Sequence, residues 1–436
     1  MKIAIYGNNL NQGYWLARNF RKHGCHAVVI TPPYLYDQEY HAWWSNSPLD
    51  QSLIRKIDVS DLEMRSLDPL RKNPKIVEVY DEFKDYDILF LVEDGPAFFS
   101  ELNGPVKVFR AAGDDLQAIP FYHKLHCRPR IFIDALKRGF TFHRHGVWAL
   151  WRNLKGEWDV AADTCARHRV YQDRQRAGLR QCAALLTPPD LEHFIRKLGL
   201  DHIPRHYISW PMDVENLEEE DADFTMELEE RYRDVDVILF HPSRIFFLMD
   251  DGDVFKKGND KLIRAYAQYL RKTRKNVRLV LIEKGRDQDI AEAKRLEAEL
   301  GLQEKIDWIP ELPNIKMRSY YKHPNTVVCG YFEKHIQRMS NSGREATFYG
   351  NPLVTGFGDF KRVFYGDDMP PNVIPAIQPY EIVDGLVRLE EMSTGDRQRL
   401  RDETRAWFYR HLTFEAVMPR YLELFERLIN EQKASR

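Results

Sequence analysis

The chain has 436 residues, 43% hydrophobic and 30% charged, a balance typical of a globular protein with two domains. Its 64 Lys and Arg against 66 Asp and Glu exclude the basic excess of a dedicated nucleic-acid binder, so we expect no nucleic-acid partner. The five cysteines form no CxxC pair, which argues against a zinc or disulfide framework. We find no signal peptide and no apolar run of about 18 residues, and we expect a cytoplasmic protein.

The first half of the chain opens with alternating strands and helices. Apolar residues 2–6 predict a strand, the polar GNNLNQG a loop, residues 14–23 a helix and residues 26–30 a second strand. This order predicts a parallel, doubly wound sheet. Its further strands are predicted at residues 88–92, 106–109 and 183–187.

Residues 122–158 interleave basic and aromatic side chains at helical spacing. Such a helix could lie on an anionic membrane surface, which would give peripheral contact with the inner face of the membrane. It could equally be a core-facing apolar stripe with solvated arginines. Both interpretations stay open.

Residues 214–235 are dense in acidic side chains and predict a linker with a solvated face. The α/β alternation restarts after it. Strands are predicted at residues 236–240, 277–282, 305–309, 326–329 and 352–355, and helices at residues 260–271, 289–300, 379–392, 395–410 and 414–430. The sequence therefore predicts two α/β domains, residues 1–213 and 236–412, followed by a C-terminal helix in residues 413–436.

Polar residues follow several predicted strands of the second half. Arg244 comes after the first strand, Lys257 and Gly258 precede the next helix, and Gly343 and Glu345 open a short helix after a long loop. Ligands of open α/β sheets bind beyond the carboxyl ends of the strands. Fixed positive charge and helix N–H groups suit a phosphate, and a carboxylate suits the hydroxyls of a ribose. Together they predict a site for a nucleotide-linked sugar.

Each of these residues alone also has a structural interpretation. Arg244 could be a surface ion-pair partner, Asn259 or Asp260 could cap the following helix, and Glu345 could favour the helix dipole. The order and spacing of the three features favour the ligand site.

The second half resembles the donor domain of retaining GT-B glycosyltransferases of family 4, the group 1 glycosyltransferases. The resemblance rests on PSR…KKGNDKLIRAY, LVLIEKGRD, IDWIPELPNIKMRSYY and above all GREATFYGNPLV, which is similar to the family's E-A-x-x-x-G-x-P-V-V run. In the first half RAAGDDLQAIPF, LLTPPDLEHFIRKLG and SWPMDVE are similar to family segments. The resemblance implies two Rossmann-like domains facing across a cleft, with the acceptor on the first, the donor on the second, and the final helix packed back on the first.

The resemblance also implies roles for single residues. Arg244 and Lys257 match the basic pair that binds the donor diphosphate, and Glu345 matches the second glutamate of the E-x7-E motif, which holds the ribose. The first glutamate of that motif falls at Gln337, whose amide can bond sugar hydroxyls but cannot place negative charge beside an oxocarbenium ion. Glu333 could supply a carboxylate from upstream.

The other donor-binding candidates flank these positions: Gly258, Ser342, Gly343 and Arg344, with Trp308 and Pro310 where the family places the base. An aromatic residue and prolines at a strand end are also common packing. In the first half, GNNLNQG lacks the GxGxxG dinucleotide fingerprint.

The resemblance assigns the GNNLNQG loop, with Asn8, Asn9 and Gly13, to acceptor or phosphate contact. A plain strand–helix turn explains the loop equally well. Asp114 follows another predicted strand and is a catalytic candidate near the sugar, although a turn or helix cap explains it as well.

Three acidic residues, Asp250, Asp251 and Asp253, resemble the DxD metal site of the other glycosyltransferase fold. We expect a solvated acidic loop instead, because Arg244 and Lys257 would neutralise a diphosphate. No metal ion or other cofactor is therefore expected.

These inferences predict a metal-independent, retaining, hexosyltransferase-like enzyme. It would move a sugar from a UDP- or GDP-sugar to a glycan or lipid-linked acceptor, in surface polysaccharide or glycoconjugate biosynthesis. Gln337 leaves an alternative, a catalytically idle protein of the same fold that binds a nucleotide-sugar or a glycan.

Overall fold

The computed structural model describes residues 1–8, 11–31, 38–112, 114–121, 147–249, 256–333, 339–357 and 365–435. The chain divides into two compact units. The first comprises Met1–Tyr40, Leu49–Tyr207 and Tyr421–Arg436, and the second comprises His41–Pro48 and Ile208–Arg420.

The first unit is built on a parallel sheet. Its strands are β1 (Lys2–Tyr6), β2 (His26–Thr31), β3 (Ile54–Lys56), β4 (Ile88–Leu91), β5 (Val106–Arg110), β6 (Ala184–Leu186) and β7 (Arg205–His206). Its helices are α1 (Gln12–Lys22), α2 (Gln38–Ala42, which runs into the second unit), α3 (Asp61–Met64), α4 (Pro74–Phe83), α5 (Gly95–Phe98), α6 (Asp114–Gln117), α7 (Val147–Arg180) and α8 (Glu192–Leu198). The strand order is β3-β2-β1-β4-β5-β6-β7, so the order reverses beside β1.

The last residues of the chain complete the core of this first unit. The Phe425 ring stacks on Phe20 with centroids 5.7 Å apart, and the edge of Tyr421 meets both Phe20 and Phe90. Arg110 donates a hydrogen bond to the Tyr421 hydroxyl. Tyr421 and Phe425 therefore cover part of the apolar face formed by Phe20 and Phe90.

The second unit contains the other parallel sheet. Its strands are β8 (Val237–His241), β9 (Val277–Ile282), β10 (Ile306–Ile309), β11 (Thr326–Cys329), β12 (Leu353–Thr355) and β13 (Val373–Pro375). Its helices are α9 (Val214–Glu218), α10 (Ala222–Arg231), α11 (Asn259–Leu270), α12 (Asp287–Glu299), α13 (Asn314–Lys322), α14 (Asn341–Tyr349), α15 (Pro379–Glu391), α16 (Thr394–His411) and α17 (Phe414–Ala434, which ends in the first unit). The strand order is β10-β9-β8-β11-β12-β13.

The segment predicted as an acidic linker, residues 214–235, lies inside the second unit and forms α9 and α10. Leu228 and Tyr232, four residues apart and so on one helical face, are buried beside Tyr320. The acidic residues occupy mainly the other faces of α10, so the helix is amphipathic.

The predicted α/β class with two doubly wound parallel sheets is confirmed. The strands β3, β7 and β13 were not predicted, because segments of two or three residues carry no readable alternation. No described helix has both the length and the apolar composition needed to span a bilayer. Of the segment predicted to contact a membrane, residues 122–146 lie outside the described residues, and α7 includes the rest.

A close approach between α7 and α5 gives a test of the packing. A Cβ on Gly178 would lie 1.8 Å from the carbonyl oxygen of Pro96. We expect Gly178→Ala to lower the free energy of unfolding by about 2 kcal/mol, even though alanine favours helix, because backbone would have to move. Urea denaturation measures this change.

The matched control is Gly395→Ala in α16, where the nearest atom to a new Cβ is 3.8 Å away. This variant should be as stable as the wild type or slightly more stable. Equal stability of the two variants would contradict the close packing at Pro96.

Candidate functional site

The strand order of the second sheet reverses between β8 and β11. Ligands of doubly wound folds bind at such a switch point, beyond the carboxyl ends of the strands. Arg244 follows β8 there, and Tyr331 to Glu333 follow β11. This part of the second unit, which we call the donor edge after the expected ligand, is therefore the candidate ligand site.

The buried side chain of His241, the last residue of β8, connects three elements of the donor edge. Its Nδ1 lies 2.8 Å from the carbonyl oxygen of Cys329, and its Nε2 lies 2.9 Å from Nδ2 of Asn259. A carbonyl can only accept and an amide NH2 can only donate, so the ring is neutral with its proton on Nδ1. Burial accordingly lowers the pKa of His241 to about 4.

Asn259 does not cap α11, contrary to the sequence-based interpretation. Gly258 is the cap residue, with a φ of 74°, and the Oδ1 atom of Asn259 accepts a 3.1 Å hydrogen bond from the amide of Phe246. Asn259 thus ties the loop after β8 to the start of α11. The sequence could not show this, because His241 and Asn259 meet only in the folded sheet.

The two predicted diphosphate ligands lie between His241 and Asn259 in the chain. The Arg244 side chain is exposed and makes no ion pair or hydrogen bond with a described residue. Lys257 places its Nζ atom 4.3 Å from the ring centroid of Tyr331. The turn at Gly258 is tight, since a Cβ there would lie 2.8 Å from Cβ of Phe332.

Glu333, proposed as a substitute for the missing first glutamate, is 4% exposed and forms an ion pair with Lys261 at 2.9 Å. Lys261 also donates to the carbonyl of Phe332 at 2.9 Å. The sequence analysis missed Lys261, whose only signal was a basic residue in the first turn of α11. Gln337 lies outside the described residues.

The helix α14 begins at the donor edge with a side-chain cap. Oγ of Ser340 accepts a 3.0 Å hydrogen bond from the amide of Gly343. The same Ser340 oxygen lies 2.8 Å from Oγ of Ser342. Arg344 is buried and donates to the carbonyl of Trp210 at 3.0 Å, so its guanidinium supports the protein interior.

Glu345 is a second buried acid of the donor edge, 7% exposed. Nδ2 of Asn314 donates a 3.0 Å hydrogen bond to it, and burial together with the Glu345 charge raises the pKa of the adjacent Tyr321. Arg318, which is fully buried, donates in turn to Oδ1 of Asn314 at 2.9 Å. A carboxylate can accept about four hydrogen bonds, so these neighbours leave capacity for ligand hydroxyls.

Asn314 and Arg318 were not predicted as site residues. Their i, i+4 spacing on α13 places them on one helical face, which was the available signal. The two predicted base-binding residues, Trp308 and Pro310, have different surroundings. The Trp308 indole donates to Glu297 at 2.9 Å and so packs on α12, whereas Pro310 is exposed just beyond β10.

In the first unit, Asn8 and Gly13 shape the turn after β1. Oδ1 of Asn8 accepts from the amide of Tyr14 at 2.9 Å, its Nδ2 donates to Asn11 at 3.0 Å, and a Cβ on Gly13 would lie 2.3 Å from the Gly7 carbonyl. Both residues therefore serve the turn itself. Asn9 lies outside the described residues.

Glu93, which the sequence analysis missed, lies beyond β4 at the switch point of the first sheet. Burial, followed by the charges of Asp94 and Asp115, raises its pKa to about 7. Buried Gln175 donates to the carbonyls of Glu93 and Asp115, both at 3.0 Å. The side chain of Asp114 is outside the described part of the chain, as are Asp250, Asp251 and Asp253. Among the residues that are described, no cluster of three or more His, Cys, Asp or Glu could hold a metal ion.

No protein-family model and no curated protein matches the sequence. Solved structures match over nearly the whole chain. Sucrose-phosphate synthase from Thermosynechococcus elongatus has a TM-score of 0.61 at 15% identity, covering 99% of this chain and 100% of its own. HepE from Anabaena in complex with UDP and glucose also has a TM-score of 0.61, at 14% identity, and the match covers 98% of this chain and 100% of HepE. WaaG, a glycosyltransferase involved in lipopolysaccharide biosynthesis, has a TM-score of 0.51 at 14% identity, and the match covers 93% of this chain and 95% of WaaG.

These neighbours are GT-B glycosyltransferases, so the chain has the GT-B fold predicted from its sequence. At such low identity the likeness defines the fold alone. The residues described above for the second unit lie at its donor edge, at the switch point of its sheet.

The neutral state of His241 predicts a pH dependence of stability. The pKa of this histidine is about 6.5 in the unfolded chain and about 4 in the native state. Between these two pH values the unfolded chain binds a proton that the native state does not bind, and this favours unfolding. This histidine should therefore lower stability by roughly 1 kcal/mol between pH 7.5 and pH 5.5. Urea denaturation at the two pH values measures the loss.

His241→Gln should lose this part of the pH dependence. His202→Gln, at an exposed histidine, should keep it. An unchanged difference between the two pH values in His241→Gln would show that His241 is not the group responsible.

The Lys261–Glu333 pair gives a second stability test. Lys261→Met should lower the free energy of unfolding by about 2 kcal/mol or more, because it leaves the Glu333 carboxylate buried without its cation. Adding Glu333→Gln should recover part of that loss, which a double-mutant cycle measures. Strictly additive effects would contradict the ion pair.

Proposed function

We propose that this protein is a glycosyltransferase that transfers a sugar from a nucleotide-sugar, with Glu345 as the ligand of the ribose. The observation that carries the proposal is the state of this carboxylate. It is buried at the donor edge, oriented by the neutral amide of Asn314, and retains hydrogen-bonding capacity. Vicinal ribose hydroxyls would complete its hydrogen bonds.

Arg244 and Lys257 would hold the diphosphate. As the glycosidic bond breaks, negative charge grows on the leaving phosphate, and fixed cations stabilise it there. With these two charges the proposed reaction needs no metal ion. Retention of configuration and a hexose as the transferred sugar follow from the sequence resemblance and belong to the same proposal.

Structures of HepE in complex with UDP and with UDP-glucose support a UDP-sugar as the first donor to test. A glycan or lipid-linked acceptor held by the first unit, in the cytoplasm or at the inner face of the membrane, completes the proposal. The residues 1–213 would then form the acceptor side and residues 236–412 the donor side. Surface polysaccharide or glycoconjugate assembly is the proposed role.

A second candidate function is favoured by the Lys261–Glu333 pair. The carboxylate of Glu333 is neutralised by its own lysine, and the motif position upstream of Glu345 holds Gln337. A protein with this arrangement could bind a nucleotide-sugar without turning it over.

Binding of UDP, GDP and ADP, measured by calorimetry in EDTA, tests the proposed site. Arg244→Ala and Glu345→Gln should each weaken the preferred nucleotide roughly tenfold or more, since charge-assisted hydrogen bonds are lost. Arg264→Ala, at an exposed arginine of α11, is the control and should bind as the wild type does.

Release of nucleoside diphosphate from the donor sugar separates the two functions. Slow hydrolysis of the donor by the wild type, reduced in Lys257→Ala, supports the transferase. Tight binding without any release supports the idle binding protein. The absence of binding to every nucleotide would overturn both.

A further inference from the structure

The segment His41–Pro48 belongs to the second unit, although the chain on both sides of it belongs to the first. We call this segment the strap. The carbonyl of Trp43 accepts a hydrogen bond from the backbone amide of Asn314 at 2.7 Å, and the carbonyl of Trp44 accepts one from Arg318 at 2.6 Å. The strap is therefore attached to the first turns of α13.

The strap also contacts Glu219, the residue that follows α9. The carboxylate of Glu219 accepts from Oγ of Ser45 at 2.7 Å and from the amide of Asn46 at 2.5 Å. Backbone hydrogen bonds thus hold the strap on both sides of Trp44. None of these hydrogen bonds uses the Trp43 side chain.

The residues that hold the strap also orient Glu345. Asn314 donates its backbone amide to Trp43 and its side-chain amide to Glu345. One residue therefore separates Trp43 from the carboxylate proposed to bind the ribose. The base of a nucleotide is attached to the ribose, so a ribose held by Glu345 would bring the base near Asn314.

The Trp43 side chain is 41% exposed, and its indole makes no ring contact or hydrogen bond with a described residue. A large aromatic ring left exposed on an anchored backbone is a suitable surface for stacking, because little conformational entropy is lost on binding. Trp308, the aromatic residue expected near the base, packs on α12 instead.

We propose that Trp43 stacks on the base of the nucleotide donor, which makes the strap part of the donor site. The inference rests on the proposed function and adds a residue to it. Every base has a π-face, so stacking strengthens binding of pyrimidine and purine nucleotides alike. Inorganic pyrophosphate has no base, so stacking cannot strengthen its binding.

The test is calorimetric titration of the full chain with UDP, ADP and inorganic pyrophosphate. Trp43→Ala should weaken the nucleotides roughly tenfold, the loss expected for one base–aromatic stack, and should leave pyrophosphate unchanged. Trp43→Phe should restore most of the affinity. Quenching of tryptophan fluorescence by UDP should be smaller in Trp43→Phe than in the wild type.

Trp158→Ala is the matched control, because Trp158 is similarly exposed, at 46%, but lies in the first unit. Nucleotide affinity equal to the wild type in Trp43→Ala overturns the stacking role. An equal loss for pyrophosphate also overturns it, because the effect would then be on the fold of the strap. If Arg244→Ala weakens UDP while Trp43→Ala does not, this inference fails and the proposed function stands. If the wild type binds no nucleotide, both fail.

Discussion

The geometry of the donor edge depends on one buried, neutral imidazole. His241 donates to the end of β11 and accepts from Asn259 at the start of α11, and Asn259 in turn holds the loop that follows β8. A proton on Nε2 would set a donor against the NH2 group of Asn259, and the network would lose its central bond. The backbones that carry Arg244 and Lys257 are thus positioned by a group that works in one protonation state.

Two buried carboxylates of the donor edge, Glu333 and Glu345, have different hydrogen-bond and ion-pair partners. Glu333 lies against the ammonium group of Lys261, which compensates its charge. Glu345 accepts a hydrogen bond from the neutral amide of Asn314. The buried guanidinium of Arg318 behind that amide donates, among the described residues, to oxygens of Asn314, Asn216 and Trp44, and it attracts Glu345 without a direct ion pair. Glu345 therefore has no direct cationic partner among the described residues, whereas Glu333 is ion-paired with Lys261.

The sequence was sufficient to predict the fold and the edge where the polar residues gather. Strands such as β1 and β9 were predicted with their observed bounds, because buried parallel strands form continuous apolar runs. Arg244 and Lys257 follow strand β8 or precede helix α11, so parallel topology alone brings them to one edge. The roles of these residues remain proposals.

Other features depend on contacts between residues distant in sequence. The strap meets α13 across more than two hundred residues, and no periodicity in the segment indicates that partner. The side chain of Trp308 turns to α12 because Glu297 offers its indole an acceptor, which is a property of the neighbouring helix. Short edge strands such as β7 are defined by pairing with the sheet rather than by their own composition.

The contribution of Tyr421–Arg436 to the first unit has a consequence for synthesis of the chain. Phe425 and Tyr421 cover Phe20 and Phe90, yet they are synthesised more than 300 residues after them. Until Tyr421 and Phe425 have been made, the first unit keeps part of this apolar face exposed, whereas the second unit, apart from the strap, is one continuous segment of the chain. The first unit can therefore finish folding only after the residues of the second unit have been made.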